Sequence, residues 1–375
     1  MREPGATRSY LKGTPALEAN VLTRPAPPAS QARLTAESTR MFLEAGQASQ
    51  VVAAQLSANA ARAARIGERL RASPPRAVVT CARGSSDHAA TFAKYLVETR
   101  AGVLTSSAAL SVSSVYAAPQ GLDGVLYLAI SQSGKSPDLL AAVQAAKDAG
   151  AFTIALVNDV NSPLAALVDE VLPLHAGPEL SVAATKSYIA ALAAIAQLVA
   201  AWTQDEELTA ALSALPALLA EAWTLDWTPA VERLKLARNL YVLGRGVGFG
   251  VAQEAALKFK ETCGLHAEAF SAAEVLHGPM ALVKEGFPVL VFAQNDESRG
   301  SVDAMAKGVT ERGGDVLLAG AGEAGAGVLP ALAAHPVIEP ILMIQSFYRM
   351  ANALSVARGY DPDSPPHLNK VTETV

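Results

Sequence analysis

Val125-Leu126-Tyr127-Leu128-Ala129-Ile130 runs into Ser131-Gln132-Ser133-Gly134-Lys135-Ser136-Pro137-Asp138, and an alanine- and leucine-rich segment follows from Leu139 to Lys147. The first run is short, apolar on both faces and bounded by turn residues, as expected of a parallel strand covered on both sides. Pro137 suits the first turn of a helix, where its missing N–H leaves nothing unsatisfied. The stretch therefore reads as strand, hydroxyl-rich turn, helix N-terminus. Backbone N–H groups and the positive end of the helix dipole make such a junction an anion site. A single Ser-Gly turn would be an ordinary polar loop. Here Ser131, Gln132, Ser133 and Ser136 add side-chain donors suited to a phosphate monoester.

Strands alternate with helices on either side of this stretch. Ala77-Val78-Val79-Thr80-Cys81 reads as a strand, with Ala82-Arg83-Gly84-Ser85-Ser86-Asp87 as its loop and a helix from His88 to near Thr99. Phe152 to Val157 reads as a third strand and Val168 to Leu174 as a fourth. Such alternation implies a parallel sheet with helices on both faces. A second series opens at Leu240-Tyr241-Val242-Leu243, followed by Gly244-Arg245-Gly246-Val247-Gly248. Arg83-Gly84 and Arg245-Gly246 stand 162 positions apart, and the same offset carries Ser131 to Ala293 and Ile154 to Val316, each at an apolar run. Three strands holding one offset argue for a duplicated α/β domain. Only the first copy carries the serine turn. The second has Gln294-Asn295-Asp296-Glu297 there, whose carboxylates would repel phosphate. Gly244, Gly246, Gly248 and Gly250 alternate singly, without the G-x-G-x-x-G spacing of a dinucleotide loop.

The 375 residues suffice for two domains, and a formal net charge of −5 offers no basic field for nucleic acid or an anionic membrane. Cys81 and Cys263 are too few for a disulfide framework and suit a reducing cytoplasm, and no metal-ligand spacing is present. The longest apolar segment, Tyr188 to Trp202, falls short of a membrane span and reads as a buried helix. Residues 1–33 are expected to form a disordered or poorly packed leader, with no signal-peptide core. The expected organisation is then a helical segment over 34–70, a first domain over 71–205, a helical connector over 206–229, a second domain over 230–360 and a tail over 361–375.

In the second copy, Glu254, Lys258 and Glu261 recur at i, i+4 and i+7 and share one helical face. Alone, that spacing suits a solvated, salt-bridged stripe. It is followed by Leu265-His266-Ala267-Glu268-Ala269-Phe270 and by Glu274-Val275-Leu276-His277-Gly278-Pro279, a second charged cluster closing on a turn.

Together with Ala255-Ala256-Leu257-Lys258-Phe259-Lys260-Glu261, these segments resemble the tandem sugar isomerase (SIS) domain family, in particular the isomerase half of glucosamine-6-phosphate synthase. Ser131-Gln132-Ser133-Gly134, Val182-Ala183-Ala184-Thr185-Lys186 and the tail His367-Leu368-Asn369-Lys370-Val371-Thr372 agree, so the resemblance covers roughly residues 40–375. It implies two flavodoxin-like αβα sandwiches. It also implies a phosphate site of Ser86, Ser131, Gln132, Ser133 and Ser136, with Val182 in the same substrate-binding group. Glu261 matches the family's enediol base and Lys258 a lysine near the open-chain sugar. Lys370 matches the tail lysine that forms or supports an imine, and Glu254 orients these groups. His277 matches the histidine that opens the ring, contributed in that family by a second subunit, so a homodimer with a shared site is implied.

The residues ahead of the match are too few for the synthase's glutamine-hydrolysing domain. Lys135 stands where the synthase has an acidic residue, as in stand-alone glucosamine-6-phosphate deaminases of this family. The resulting expectation is a cytoplasmic isomerase and deaminase that needs no metal or organic cofactor, taking glucosamine 6-phosphate and water to fructose 6-phosphate and ammonia. The alternatives are a related enzyme of galactosamine, tagatose or fructosamine phosphates, or a module that senses a sugar phosphate without turnover.

Overall fold

The computed structural model describes residues 34–322 and 325–370. The expected leader over 1–33 and the Val371-Thr372 end of the tail motif lie outside the described residues. Helix α1 (Ala48–Ala72) leads into β1 (Ala77–Cys81), α2 (Ser85–Arg100) and a short strand β2 (Thr105–Ser107). The serine-turn stretch forms β3 (Val125–Ser131) and α3 (Pro137–Asp148), with Pro137 in the first helical turn. Next come β4 (Phe152–Val157), β5 (Glu170–Pro173), α4 (Lys186–Thr203) and α5 (Glu206–Ala222). The second series holds β6 (Asn239–Gly244), α6 (Gly248–Cys263), β7 (His266–Ser271) and β8 (Pro288–Phe292). It closes with α7 (Arg299–Thr310), β9 (Asp315–Ala319), β10 (Val328–Leu329) and α8 (Glu339–Ala357).

All seven residues of β3 are buried, because helices cover both faces of its sheet. Leu128 pairs with Thr80 on one side and Ile154 on the other, in parallel register. The first sheet has the order β2-β1-β3-β4-β5 and the second β10-β9-β8-β6-β7, which is the same order traced from the opposite edge. This 2-1-3-4-5 arrangement is the flavodoxin-like one, as expected. The duplication is therefore visible in topology as well as in spacing. In each copy the order switches between the first and third strands, and the loops leaving their carboxyl ends open a crevice there.

The first helices of the two copies, α2 and α6, pack against each other. A Cβ placed on Gly250 would stand 2.5 Å from the carbonyl oxygen of His88 and 3.0 Å from the nitrogen of Phe92, so only glycine permits this backbone-to-backbone approach. On its far side α6 meets α8, where Phe259 and Phe347 stack edge to face at 5.0 Å. Helix α4 is long and apolar enough to cross a membrane by length and composition, contrary to the expectation that it falls short. It packs inside the protein, with Tyr188 through Ala196 all buried, so the expected core helix is what forms.

Three other expectations need correction. The helix after β1 starts at Ser85, one turn before the expected His88. Gly84 adopts φ +55°, and its carbonyl accepts from Asp87 N at 2.9 Å, so the helix closes around Ser85 and Ser86. The edge strands β2 and β10 were not anticipated, because Thr105-Ser106-Ser107 and Val328-Leu329 are too short to show a pattern. His266 to Ser271, read from the sequence as part of a charged cluster, pairs along its whole length with β6.

Candidate active site

Helix α6 carries the charged row, and the row is not a solvated stripe. Glu254 and Lys258 are each 0% exposed, and Glu261 keeps 20% of its side chain accessible. Lys258 Nζ lies 3.3 Å from Glu254 Oε1 and makes a short ion pair with Glu261. It also donates to Ser85 Oγ at 3.2 Å. Glu254 Oε1 accepts from Ser85 Oγ at 3.1 Å and from the Tyr348 hydroxyl at 3.2 Å, while Oε2 stands 3.0 Å from His88 Nδ1. Burial pushes the Glu254 carboxyl up, but Lys258 and the His88 hydrogen bond outweigh it, and the group is held below the usual carboxylate range. Burial likewise pulls the Lys258 ammonium down, and Glu254 with Glu261 reverses that, so it stays above its usual value. Lys258 is thus a buried, charged ammonium flanked by two carboxylates.

Above this row opens a cavity of about 350 Å³ lined by both copies and the tail. One end is built by two helix N-termini of the first copy. Ser85 and Ser86 begin α2, while Ser131, Gln132, Ser133 and Ser136 lead into α3. Gly134 has φ +65° and lies so close to Ser162 Oγ that a Cβ would come within 2.3 Å, which makes this turn specific to glycine. Ser131 Oγ accepts from Gly134 N at 3.0 Å and so shapes the loop as well as lining the cavity. Arg83 also lines this end, fastened through Nε and Nη2 to Asp138 Oδ2 at 3.0 and 2.8 Å. An anion held here meets serine hydroxyls, helix-end amides and a guanidinium.

The other wall consists of Val182, Ala184 and the tail residues Leu368, Asn369 and Lys370. Two buried carboxylates hold that loop. Glu44 accepts from Leu180 N and Ser181 N at 2.5 and 3.1 Å, and Glu179 accepts from Thr185 N and Ser187 N at 3.0 and 3.1 Å. Lys370 Nζ reaches back to the same loop, 2.7 Å from the Ser181 carbonyl and 3.5 Å from Glu179 Oε2.

Of the residues singled out in the sequence, the cavity thus collects Ser86, Ser131, Gln132, Ser133, Ser136, Val182, Lys258, Glu261 and Lys370. Glu254 lies beneath it rather than in its wall. Lys135 turns away to Asp159 at 3.2 Å with 55% of its side chain exposed, so the lysine behind the deaminase expectation makes no part of the lining. His277 is exposed at the end of the short helix Glu274–His277 and does not line the cavity either. Sequence reading missed Ser85, His88, Arg83, Tyr348 and Glu179. For Ser85 and His88 the signal was the repeat itself, which makes α2 and α6 equivalent helices able to meet about a common axis. Tyr348 carried no local signal, since its partner Glu254 lies 94 positions away, and nothing near Glu179 showed that it would also meet Lys370, 191 positions on.

The SIS domain profile matches residues 73–201 and 233–319, the two sheet-bearing halves of the chain. Glutamine–fructose-6-phosphate aminotransferase [isomerizing] of Aeropyrum pernix is 36% identical over 310 residues, covering 76% of this chain and 49% of that protein. A Thermus thermophilus protein of the same name is 35% identical over 316 residues, covering 78% of this chain and 51% of its own length. The chain therefore spans about half the length of the curated relatives it matches. Among solved structures, the "putative phosphosugar isomerase" of Silicibacter pomeroyi DSS-3 is 43% identical with a TM-score of 0.82, covering 87% of this chain and all of that one. The C-terminal domain of glucosamine-fructose-6-phosphate aminotransferase from Francisella tularensis is 26% identical with a TM-score of 0.78, covering 88% of this chain and 98% of that one. Two profile matches on two like sheets, with a relative aligned along its full length, establish that the chain belongs to the SIS domain family.

Proposed function

We propose that the protein is a sugar-phosphate isomerase acting on amino sugars, with a deaminase outcome: glucosamine 6-phosphate and water give fructose 6-phosphate and ammonia. The observation that carries this reading is the pairing of Glu261 with the buried ammonium of Lys258 at one end of a cavity whose other end is a double helix-terminus anion site. Residues 71–205 hold the phosphate and residues 230–360 supply the catalytic helix, with the tail contributing Leu368, Asn369 and Lys370 to the cavity. The phosphate, distant from the reacting carbons, positions the open-chain sugar. Glu261 removes the C2 proton of the aldose and returns it to C1, acting first as base and then as acid. The Lys258 ammonium stabilises the negative charge that develops on the C1 oxygen. This proton shift turns the C2 amine into a C2 imine; water adds to C2 and ammonia leaves. Lys370, on the opposite wall, takes the imine-supporting role. His277, exposed and outside the cavity, completes a site when a second copy presents it, which makes the working unit a homodimer.

An ammonia-release assay over a panel of hexosamine 6-phosphates tests the reading and selects the epimer. Release from the gluco substrate at enzymatic rates is the expected result, while turnover only of galactosamine or fructosamine phosphates would move the assignment to them. Glu261→Gln keeps shape but removes the base, so its C2-proton exchange with deuterated solvent should fall by about 10²–10⁴. Exchange at the wild-type rate would overturn the base assignment.

A further inference from the structure

We infer that His88 is a positioning residue for the proton shift, holding Glu254 so that Lys258 and Glu261 keep their alignment at the cavity. This rests on the proposed isomerase reading. His88 lies on α2, two residues beyond Ser86 of the anion site, while Glu254 lies on α6 of the other copy. A carboxylate has only acceptors, so the His88 Nδ1 that stands 3.0 Å from Glu254 Oε2 carries the proton and donates it. It makes the single hydrogen bond to Oε2 among the described residues, whereas Oε1 is shared by Ser85, Tyr348 and Lys258. With Oε2 held, the carboxylate plane is set and Oε1 faces Lys258. Lys258 is then held on three sides by Glu254, Ser85 and Glu261, so its ammonium cannot swing without breaking a buried bond.

The backbone under this relay is equally constrained. Gly250 brings α6 so close to the His88 carbonyl that an added Cβ would stand 2.5 Å away. The imidazole therefore spans a fixed gap between the two copies. It couples the turn that binds phosphate to the helix that bears the base. A residue acting through Glu254 and Lys258 alters the rate of proton transfer without altering phosphate affinity, since a misplacement of about 1 Å costs about 10²-fold in rate.

The test uses three substitutions on the full chain. Asn places an amide N–H near the position of Nδ1, whereas Gln places it one bond further out and Ala removes it. His88→Ala and His88→Gln should each lower C1-proton exchange of fructose 6-phosphate with deuterated solvent by about 10- to 100-fold with KM unchanged, and His88→Asn should restore most of the rate. Equal losses in all three, or a change confined to KM, would overturn the assignment. A second arm does not depend on turnover. Thermal midpoints of His88→Ala, Glu261→Gln and the double variant should be non-additive, because the two residues never touch but share one network. Additive midpoint losses would also overturn it. If wild-type protein exchanges no proton on any hexose 6-phosphate, the isomerase reading falls, and the midpoint arm alone decides whether His88 organises the row.

Discussion

Lys258→Met removes the cation between Glu254 and Glu261 while keeping most of the side-chain volume. Lys258 and Glu254 are both 0% exposed and 3.3 Å apart, so the substitution leaves the Glu254 carboxylate in the interior without its counter-ion. Breaking a buried pair in this way costs about 3–5 kcal/mol, far more than the pair contributes relative to an apolar replacement. At about 1.3 °C per kcal/mol for a chain of this size, the thermal midpoint at pH 7 should drop by about 4–6 °C. Lys258→Met combined with Glu254→Gln should recover a large part of that loss, because no buried charge then remains between α2 and α6. The pH dependence has a defined sign. In the native protein Glu254 is held below its ordinary 4.5 and Lys258 above its ordinary 10.5, so the pair's contribution is complete between those values. It is lost as pH falls through the lowered carboxyl value or rises through the raised ammonium value. In Lys258→Met the strongest influence favouring the charged form of Glu254 is gone, and burial is opposed only by what His88 and Ser85 supply, which moves the group towards its neutral form. The deficit against wild type should therefore shrink on acidification as that carboxylate takes up a proton. Differential scanning calorimetry from pH 4 to 9 reads both quantities. A midpoint within about 2 °C of wild type at pH 7, or a deficit that grows on acidification, would refute the buried-pair reasoning.

Ser133→Ala removes one hydroxyl from the anion end of the cavity and should raise KM by roughly 10- to 150-fold, equivalent to about 1.5–3 kcal/mol, with kcat little changed; an unaltered KM would place the phosphate elsewhere. Gly250→Ala should destabilise the protein by about 1–3 kcal/mol despite alanine's better helix propensity, because its Cβ meets the His88 carbonyl at 2.5 Å. Denaturant midpoints equal to wild type would mean that α2 and α6 separate at no cost. Mixing His277→Ala with Glu261→Gln chains and refolding them together should restore about a quarter of wild-type turnover, since half of randomly paired dimers carry one intact site. No recovery would show that His277 does not act across a dimer.

Much of the architecture was legible in the sequence because it is local. Parallel strands buried on both faces must be short and uniformly apolar, and the runs at 77–81, 125–130 and 152–157 have that form. Duplication was legible too, since equivalent strands keep a common spacing. The strand, glycine turn and helix start around the serines were legible as well, since Pro137 marks the first helical turn. The edge strands β2 and β10 escaped notice, because runs of three and two residues are too short to show a pattern. Burial of the charged row was also hidden: i, i+4, i+7 charges look alike whether a helix face meets water or another helix. Only the approach of α2 to α6 through Gly250 decides that Glu254 and Lys258 are sealed in, with His88 and Tyr348 as their partners. The same holds for Lys135, which belongs to the anion motif by sequence yet turns out to Asp159, and for His277, which the chain leaves outside its own cavity. Periodicity specifies what each element is. Which of its side chains find each other depends on contacts between residues tens to hundreds of positions apart, and those are determined by the packing of the two copies.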